Sequence, residues 1–273
     1  MKTQRANSFL IGFASLLFFY ATALAGNVAH RSMIELGLIN DRAIENAAKG
    51  NLEEAKKGFL EVLNVSPNFY SAKHLLKLIL DKEQNVISED LLALVVKGAY
   101  AVNLKKYDEA INIFQEIIRD HPSINFAYGE LGNTYLKNNN IDEAMVFLKK
   151  AIELGPSGDS LLPALAAAYL LKNQYKDAAA YLEKAVKIDP YDEVAHYELG
   201  SAYFALGYQS LAESEYEKAL NIQPEYGLAY FGLANLYYAM ENYQKAIENC
   251  DKALALGCNI SPQFLDKLKP HRG

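Results

Sequence analysis

The sequence lacks the residues on which most metal and redox sites depend. It has no tryptophan, only two cysteines and only five histidines among 273 residues. No two of the histidines stand at the i, i+4 spacing that a helical metal site uses. The chain also lacks a G-x-S-x-G nucleophile motif, a P-loop and a G-x-G-x-x-G loop. We therefore predict that it binds no metal ion and no cofactor, and that it is not an enzyme.

The two cysteines stand close together near the C-terminus. Cys250 lies on the inward face of a predicted helix, and Cys258 follows the end of that helix. Eight residues of helix span roughly 12 Å, which is farther than a disulfide reaches. Two free thiols are therefore favoured. A disulfide stays open as the alternative, because an exported chain that folded back here could form one.

The chain also has no surplus of positive charge. Its formal net charge is -6, which counts against a nucleic-acid partner because proteins that bind nucleic acids are usually basic. Hydrophobic residues make up 51% of the sequence, so the chain can bury a large core.

The first 25 residues have the character of a targeting segment. Lys2 and Arg5 precede an uncharged stretch that contains the apolar run Phe9–Tyr20. Ala23 and Ala25 then supply the small residues of a cleavage site. Residues 1–25 are therefore predicted to be a signal peptide cleaved after Ala25, or a membrane anchor formed by residues 6–25 if it is uncleaved. The first alternative predicts an exported periplasmic or secreted chain, and the second predicts that the membrane is contacted only through this segment.

A repeat with a period of 34 residues fills most of the remaining chain. Five similar segments end at residues 122, 156, 190, 224 and 258, and the first four of them end on proline. Each segment has an alanine followed four residues later by a residue that is usually large; the pairs are Ala110 and Phe114, Ala144 and Leu148, Ala178 and Leu182, Ala212 and Tyr216, and Ala246 and Cys250. A fixed period of this length predicts a solenoid of helix pairs, and the proline ends the second helix of each pair.

The helix that precedes each segment has its own pattern. A small residue recurs at Gly98, Gly132, Ala166, Gly200 and Ala234. This residue is predicted to let the two helices of a pair approach closely. Three residues later a tyrosine recurs at Tyr135, Tyr169, Tyr203 and Tyr237. The tyrosines are predicted to fill the space between neighbouring pairs.

These positions resemble the tetratricopeptide repeat, most clearly in YGELGNTYLKNNNIDEAMVFLKKAIELGP at Tyr128–Pro156. The resemblance implies an all-α fold, a right-handed superhelical solenoid of antiparallel helix pairs with a C-terminal capping helix. Five tandem repeats are predicted in residues 91–260 and a degenerate repeat in residues 26–69. An extra helix and a linker are predicted for residues 70–90, with Ser88 capping the helix that follows. The capping helix is predicted for residues 261–273.

The resemblance also implies where a partner would bind, because the first helix of each pair lines a concave groove in this family. Nine groove positions are candidates for partner binding: Val95, Phe126, Asn133, Tyr197, Ser201, Phe204, Phe231, Asn235 and Tyr238. Relatives that clamp a terminal carboxylate use cationic side chains in this groove, and here those side chains are missing. The aromatic residues favour an apolar extended peptide or an amphipathic helix. In the alternative reading, some of these side chains only pack against the next helix.

Two functions follow from these observations. The favoured one is an exported adaptor that holds proteins of a cell-envelope assembly through an apolar, aromatic groove. The alternative is a structural subunit of such an assembly that associates with its own copies, so a homo-oligomer is possible. The identity of the partner cannot be read from the sequence, because one scaffold serves many partners.

Overall fold

A computed structural model describes residues 33–272, and the predicted targeting segment 1–25 lies outside these residues. Within them the chain forms 14 α-helices and no strand, so the predicted all-α repeat fold is confirmed. No helix of the described part is both long enough and apolar enough to cross a membrane.

The helices are numbered here in chain order. The first four are α1 (Met33–Ala48), α2 (Leu52–Val65), α3 (Tyr70–Glu83) and α4 (Glu89–Asn103). The next four are α5 (Tyr107–Asp120), α6 (Asn125–Lys137), α7 (Ile141–Glu153) and α8 (Leu162–Leu171). The last six are α9 (Tyr175–Ile188), α10 (Glu193–Ala205), α11 (Gln209–Ile222), α12 (Gly227–Ala239), α13 (Tyr243–Ala255) and α14 (Pro262–Leu268).

The chain divides into two compact units, of which the first ends at Leu92. In this unit α1 and α2 form an antiparallel pair, and α3 follows as a single helix that contacts α2. A Cβ atom added to Gly58 of α2 would lie 2.8 Å from the Cβ atom of Ala43 on α1, so small side chains set the approach of this pair. Ser88 accepts a hydrogen bond from the backbone N–H of Leu91 at 3.1 Å, which confirms its predicted role as the cap of α4.

The second unit begins at Ala93 and consists of helix pairs in series. The pairs are α4 with α5, α6 with α7, α8 with α9, α10 with α11, and α12 with α13; α14 follows the last pair. From α6 onward each helix contacts the next one along the chain, and the first helices α8, α10 and α12 contact one another in order. This nearest-neighbour packing is that of a solenoid.

Glycine makes the close contact inside several of these pairs. A Cβ atom at Gly132 would lie 2.7 Å from Leu148 Cγ, and one at Gly200 would lie 2.8 Å from the ring of Tyr216. A Cβ atom at Gly98 would lie 2.9 Å from the ring of Phe114. Real Cβ atoms do not approach neighbours this closely, so the prediction that small residues permit close helix contact is confirmed.

A left-handed residue closes every turn between the two helices of a pair in the second unit. Positive φ angles recur at Lys105 (58°), Asn139 (62°), Asn173 (57°), Gly207 (80°) and Glu241 (60°), each 34 residues after the last. The next backbone N–H bonds back to a carbonyl in the last turn of the first helix at 2.8–2.9 Å, as from residue 140 to residue 135. This is the Schellman motif.

The recurring tyrosines connect neighbouring pairs through their second helices. Tyr135 stacks on Phe147 of its own pair, with ring centroids 5.6 Å apart, and its hydroxyl accepts a hydrogen bond from Gln115 of the preceding pair at 3.1 Å. Tyr203 donates to Glu183 of the preceding pair at 2.9 Å. The prediction that these tyrosines fill the space between pairs is confirmed, and their hydroxyls add polar links.

The third repeat departs from the others in its first helix. Residues Pro156–Leu161 form a 3₁₀ helix, and α8 begins only at Leu162 with Pro163 in its first turn. Because proline has no N–H to donate, it is tolerated at this end of a helix and not in its interior. The first helix of this repeat is therefore shorter than those of its neighbours.

Substitutions at the turn residues with positive φ should change the free energy of unfolding according to how easily the new residue adopts the left-handed conformation. We expect Glu241→Gly to raise the free energy of unfolding by about 0.5–1 kcal/mol, because glycine adopts positive φ without the clash of a Cβ atom. Gly207→Ala should lower the free energy of unfolding by about 1 kcal/mol for the same reason. Urea denaturation followed by circular dichroism measures both. Glu248→Gly, in the interior of α13, is the control and should destabilise the protein; stabilisation by that variant would contradict the explanation.

A buried histidine in the first unit makes its stability depend on pH. His74 of α3 is 7% exposed, and its Nδ1 lies 2.8 Å from the carbonyl oxygen of Tyr70. Burial lowers the pKa of His74 from 6.5 to about 4, although the hydrogen bond to Tyr70 favours the protonated form. The ring is therefore neutral at pH 7, with Nδ1 as the donor.

The free energy of unfolding should fall as pH drops from 7 to 5. The unfolded chain binds a proton at His74 below about pH 6.5, whereas the folded chain does so only near pH 4, which costs about 2 kcal/mol of stability by pH 5. Denaturation as a function of pH measures this loss, and His74→Gln should reduce it. An NMR titration of the His74 ring that shows protonation near pH 6.5 would contradict the prediction.

Candidate functional site

The predicted aromatic groove residues lie mainly on α10 and α12, two first helices that contact each other. Tyr197 and Phe204 of α10 are partly exposed, and so are Phe231 and Tyr238 of α12. The ring of Tyr197 contacts Tyr216 and Tyr226, with centroids 5.9 and 5.6 Å away. These contacts hold the tyrosine ring in place while leaving part of it open to solvent.

Two predicted groove residues are wrong. Val95 is 0% exposed and Phe126 is 2% exposed, so neither side chain is available to a partner in the folded chain. The position of each residue in the repeat predicts that it faces the groove. That position does not indicate whether other parts of the chain cover the side chain.

The C-terminal helix covers the C-terminal half of the aromatic surface. Phe264 of α14 meets the rings of Phe231 and Tyr238 edge-on, with centroids 5.5 and 5.8 Å away. The side chains of Phe264 and Leu268 are both buried. At this end of the groove, the alternative reading of the aromatic residues as packing against the next helix is correct for Phe231 and Tyr238.

Two further contacts hold the C-terminus against α13. The ring of His271 stacks on Tyr243 with centroids 3.5 Å apart. The guanidinium of Arg272 donates to both carboxylate oxygens of Asp251, at 2.6 and 3.2 Å. A bidentate pair of this kind adds directional restraint as well as charge attraction.

The predicted polar groove residues use part of their hydrogen-bonding capacity inside the protein. The hydroxyl of Ser201 donates to the carbonyl of Tyr197 at 3.0 Å and accepts from Tyr216 at 3.2 Å. The amide of Asn235 donates to the carbonyl of Phe231 at 2.8 Å. Asn133 makes no hydrogen bond within the described part of the chain and is partly exposed. Asn133 therefore keeps the most free capacity of the three.

Sequence reasoning missed one charged residue at this surface. Glu198 follows Tyr197 on α10 and lies one turn from Ser201, another of the predicted groove residues. Burial, followed by the nearby charge of Asp192, raises the pKa of Glu198 to about 8. In the sequence, the position of this acidic residue directly after the groove residue Tyr197 could have identified it.

His196 is a buried residue that links α10 to α11. It is 5% exposed, and its ring nitrogens lie 2.7 Å from the carboxylate of Glu215 and 3.2 Å from the carbonyl oxygen of Pro190. Lys218 also bonds to Glu215, at 2.7 Å. Burial alone would raise the pKa of Glu215, but the hydrogen bonds from His196 and Lys218 lower it below its usual value. This network fixes α10 to α11 behind the groove surface.

The described residues contain no group of three histidine, cysteine, aspartate or glutamate side chains that could hold a metal ion. Cys250 and Cys258 are both free thiols, so the favoured prediction is confirmed over the disulfide.

Comparison with known families supports the repeat assignment. Tetratricopeptide-repeat families match the chain at residues 93–123, 127–157, 167–207, 194–226 and 227–256. These stretches cover the second unit from α4 to α13, and the interruption at residues 158–166 coincides with the shortened helix of the third repeat. No match was found among the curated proteins.

Solved structures share the fold at low sequence identity. A crystal structure of MamA is 24% identical, with 58% of this chain and 93% of the MamA chain aligned at a TM-score of 0.54. MamA from Desulfovibrio magneticus RS-1, from residue 41 to its end, is 21% identical over 62% of this chain and 96% of its own, with a TM-score of 0.58. YrrB, described as a TPR protein with an unusual peptide-binding site, is 22% identical over 70% of this chain and 96% of its own, with a TM-score of 0.56.

Removing the ring of Phe264 should uncover the C-terminal part of the aromatic surface. We expect Phe264→Ala to lower the free energy of unfolding by about 3 kcal/mol, since a buried aromatic side chain is lost. The variant should also bind the dye ANS more strongly, because the rings of Phe231 and Tyr238 become exposed. Gln263→Ala, an exposed change on the same helix, is the matched control. Equal dye binding by both variants would show that Phe264 does not cover the two rings.

Proposed function

The chain belongs to the tetratricopeptide-repeat family, and we propose that it is an exported adaptor that binds an apolar or amphipathic peptide segment of a partner along α8, α10 and α12. Repeat solenoids of this kind use extended concave surfaces for binding, and the chain is a protein-interaction scaffold. Its partner would be a protein of a cell-envelope assembly.

One observation carries this proposal: the first helices present apolar side chains that the chain does not fully cover. Tyr197 and Phe204 are partly exposed on α10. On the neighbouring first helices Leu171 is 59% exposed and Leu228 is 43% exposed. Apolar side chains grouped along adjacent helices are typical of a surface that binds another protein.

The low charge of the predicted groove favours an apolar partner. None of the nine predicted groove residues is charged. Burying a charge at an interface is costly unless it is paired, so a groove of this composition suits leucine, phenylalanine or similar side chains. YrrB, a peptide-binding protein by its description, shares the fold, and the scaffold is therefore compatible with a peptide ligand.

The export part of the proposal depends on the N-terminal sequence alone. Lys2, Arg5 and the apolar run Phe9–Tyr20 have the order of a signal segment, and they lie outside the described residues. The same segment motivates the proposed location in the cell envelope.

The experiment that tests the groove compares two sites of photo-crosslinking in the native cell. A probe at Phe204, on the proposed surface, should yield one adduct whose partner is identified by mass spectrometry. A probe at Lys187, which is exposed on the second helix α9, should yield none. Adducts of the chain with itself at Phe204 would instead favour the self-associating subunit, and equal adducts at both sites would contradict a groove.

A substitution at the same position tests how much Phe204 contributes to partner binding. We expect Phe204→Glu to weaken partner binding at least tenfold, because a carboxylate would be buried against apolar side chains at a cost of about 2 kcal/mol or more. Lys187→Glu changes charge on the opposite helix layer and should leave binding unchanged. Binding is measured by pull-down against the partner identified by crosslinking, with circular dichroism to verify that helicity is retained.

A further inference from the structure

A cleft of about 370 Å³ opens between α11 and α13, the second helices of the last two pairs. Polar and aromatic side chains line it: Asn221 of α11, Tyr230 and Tyr237 of α12, and Lys245, Asn249 and Lys252 of α13. None of the nine predicted groove residues borders this cleft, so it is separate from the proposed peptide surface. We call it the lysine cleft.

The preceding pair shows how the same repeat positions hold a carboxylate. The ring of His196 on α10 and the ammonium of Lys218 on α11 each lie 2.7 Å from the carboxylate of Glu215. Burial alone would raise the pKa of Glu215, but the hydrogen bonds from His196 and Lys218 lower it. The arrangement therefore favours an ionised carboxylate at this place.

The last pair keeps the cation of this arrangement and lacks its carboxylate. The residues 34 positions after His196, Glu215 and Lys218 are Tyr230, Asn249 and Lys252. Lys252 Nζ lies 5.2 Å from the centroid of the Tyr230 ring. The amide group of Asn249 donates one hydrogen bond, to the carbonyl of Lys245 at 2.9 Å, which leaves its second N–H for another acceptor.

Lys252 is the cation of the cleft that is available to a ligand. It forms no ion pair with a carboxylate of residues 33–272. Glu248 stands one turn before Lys252 on α13, but its carboxylate accepts a hydrogen bond from Gln244 at 3.1 Å. A lysine that extends over an aromatic ring into a cleft is placed to bind an anion there.

The second lysine of the cleft is already engaged. Lys245 Nζ lies 4.7 Å from the centroid of the Tyr237 ring and 3.4 Å from its hydroxyl oxygen. The hydroxyl of Tyr237 in turn donates to the carboxylate of Glu213. Lys245 therefore belongs to a network with an internal carboxylate, as Lys218 does at the preceding pair.

We propose that the lysine cleft binds a small organic acid with one carboxylate, which takes the place that the Glu215 carboxylate has at the preceding pair. The ligand carboxylate accepts from the ammonium of Lys252 and from the amide of Asn249, and its apolar body lies on the ring of Tyr230. The inference goes beyond the proposed function and does not depend on it, because no groove residue takes part.

The size and the charges of the cleft select this ligand. Small-molecule sites have volumes of roughly 300–1,000 Å³, and a cleft of about 370 Å³ holds a molecule with one ring or a short chain. A cationic ligand would meet Lys245 and Lys252. A phosphate would place more negative charge beside Glu217 and Glu248, which also line the cleft. A single carboxylate avoids both conflicts.

The first test compares three probes that share one ring, in NMR titrations of the ¹⁵N-labelled chain. The probes are 3-phenylpropionate, 3-phenylpropionamide and 2-phenylethylammonium. We expect 3-phenylpropionate to shift the side-chain amide signals of Asn249 and the backbone signals of α13. The neutral amide should bind about fivefold more weakly, because it forms no ion pair with Lys252, and the ammonium should not bind.

Substitutions then locate the carboxylate. Asn249→Glu supplies an internal carboxylate at the position equivalent to Glu215 and should abolish binding of 3-phenylpropionate. Lys252→Met keeps most of the side-chain stem and should weaken binding about fivefold. Lys184→Met is the matched control, since Lys184 Nζ also lies over a tyrosine ring, 5.5 Å from the centroid of Tyr181 on the same helix; it should bind as the wild-type chain does.

Glu248→Gln provides a further variant with the opposite sign. It removes the carboxylate one turn before Lys252, so 3-phenylpropionate should bind about twofold more tightly. Circular dichroism verifies that all four variants keep their helicity. A merely structural role of these exposed side chains would not make one substitution strengthen binding and another weaken it.

The outcomes decide the inference without reference to the groove. Equal binding of the three probes, or binding of 3-phenylpropionate unchanged in both Asn249→Glu and Lys252→Met, would overturn it. A blocked Ala-Glu-Ala peptide that bound more tightly than 3-phenylpropionate would assign the carboxylate to a partner protein and overturn the small-acid ligand. Crosslinking at Phe204 is unaffected by any of these results, so failure of the lysine cleft and failure of the peptide groove are distinguishable.

Discussion

The close approach of two helices at a small residue is the contact on which the rest of the second unit depends. At Gly132 and Gly200 the partner helix comes so near that a methyl group would overlap Leu148 or Tyr216. This approach buries the large side chain against backbone, and it brings the recurring tyrosines within reach of the neighbouring pair. Because each pair is built in the same way, the spacing of the first helices follows, and that spacing determines which side chains face a partner.

The proposed binding surface consists of the side chains on the first helices that the packing of helix pairs leaves partly exposed. Phe264 of α14 packs on the rings of Phe231 and Tyr238 and covers part of each. No ring of α14 contacts Tyr197 or Phe204 among the described aromatic pairs, and both side chains are partly exposed. The open part of the aromatic surface therefore lies toward α10. The His196–Glu215 pair supports α10 from behind, so the surface is held by a buried polar network as well as by apolar contacts.

The sequence predicted the helices and their contacts well because those features repeat. The alanine at the position of Ala110 and the small residue at the position of Gly98 recur every 34 residues. A contact predicted for one pair is therefore predicted for its neighbours as well. The groove was predicted less well, since Val95 and Phe126 occupy groove positions of the frame but are buried. Their burial depends on tertiary packing, which the repeat frame does not encode. Glu198 was missed for a related reason: the burial that raises the pKa of its carboxyl group depends on tertiary packing.

The left-handed turns have a consequence for how chains of this kind gain and lose length. Residues 105, 139, 173, 207 and 241 share one backbone conformation at identical intervals, so the chain has equivalent junctions at which it could be cut and rejoined. Duplicating or deleting one whole interval would join matching ends and keep the alternation of first and second helices. An insertion of a few residues inside a helix would instead rotate its small residue away from the opposing helix. Natural variants are therefore expected to differ in length by whole helix pairs.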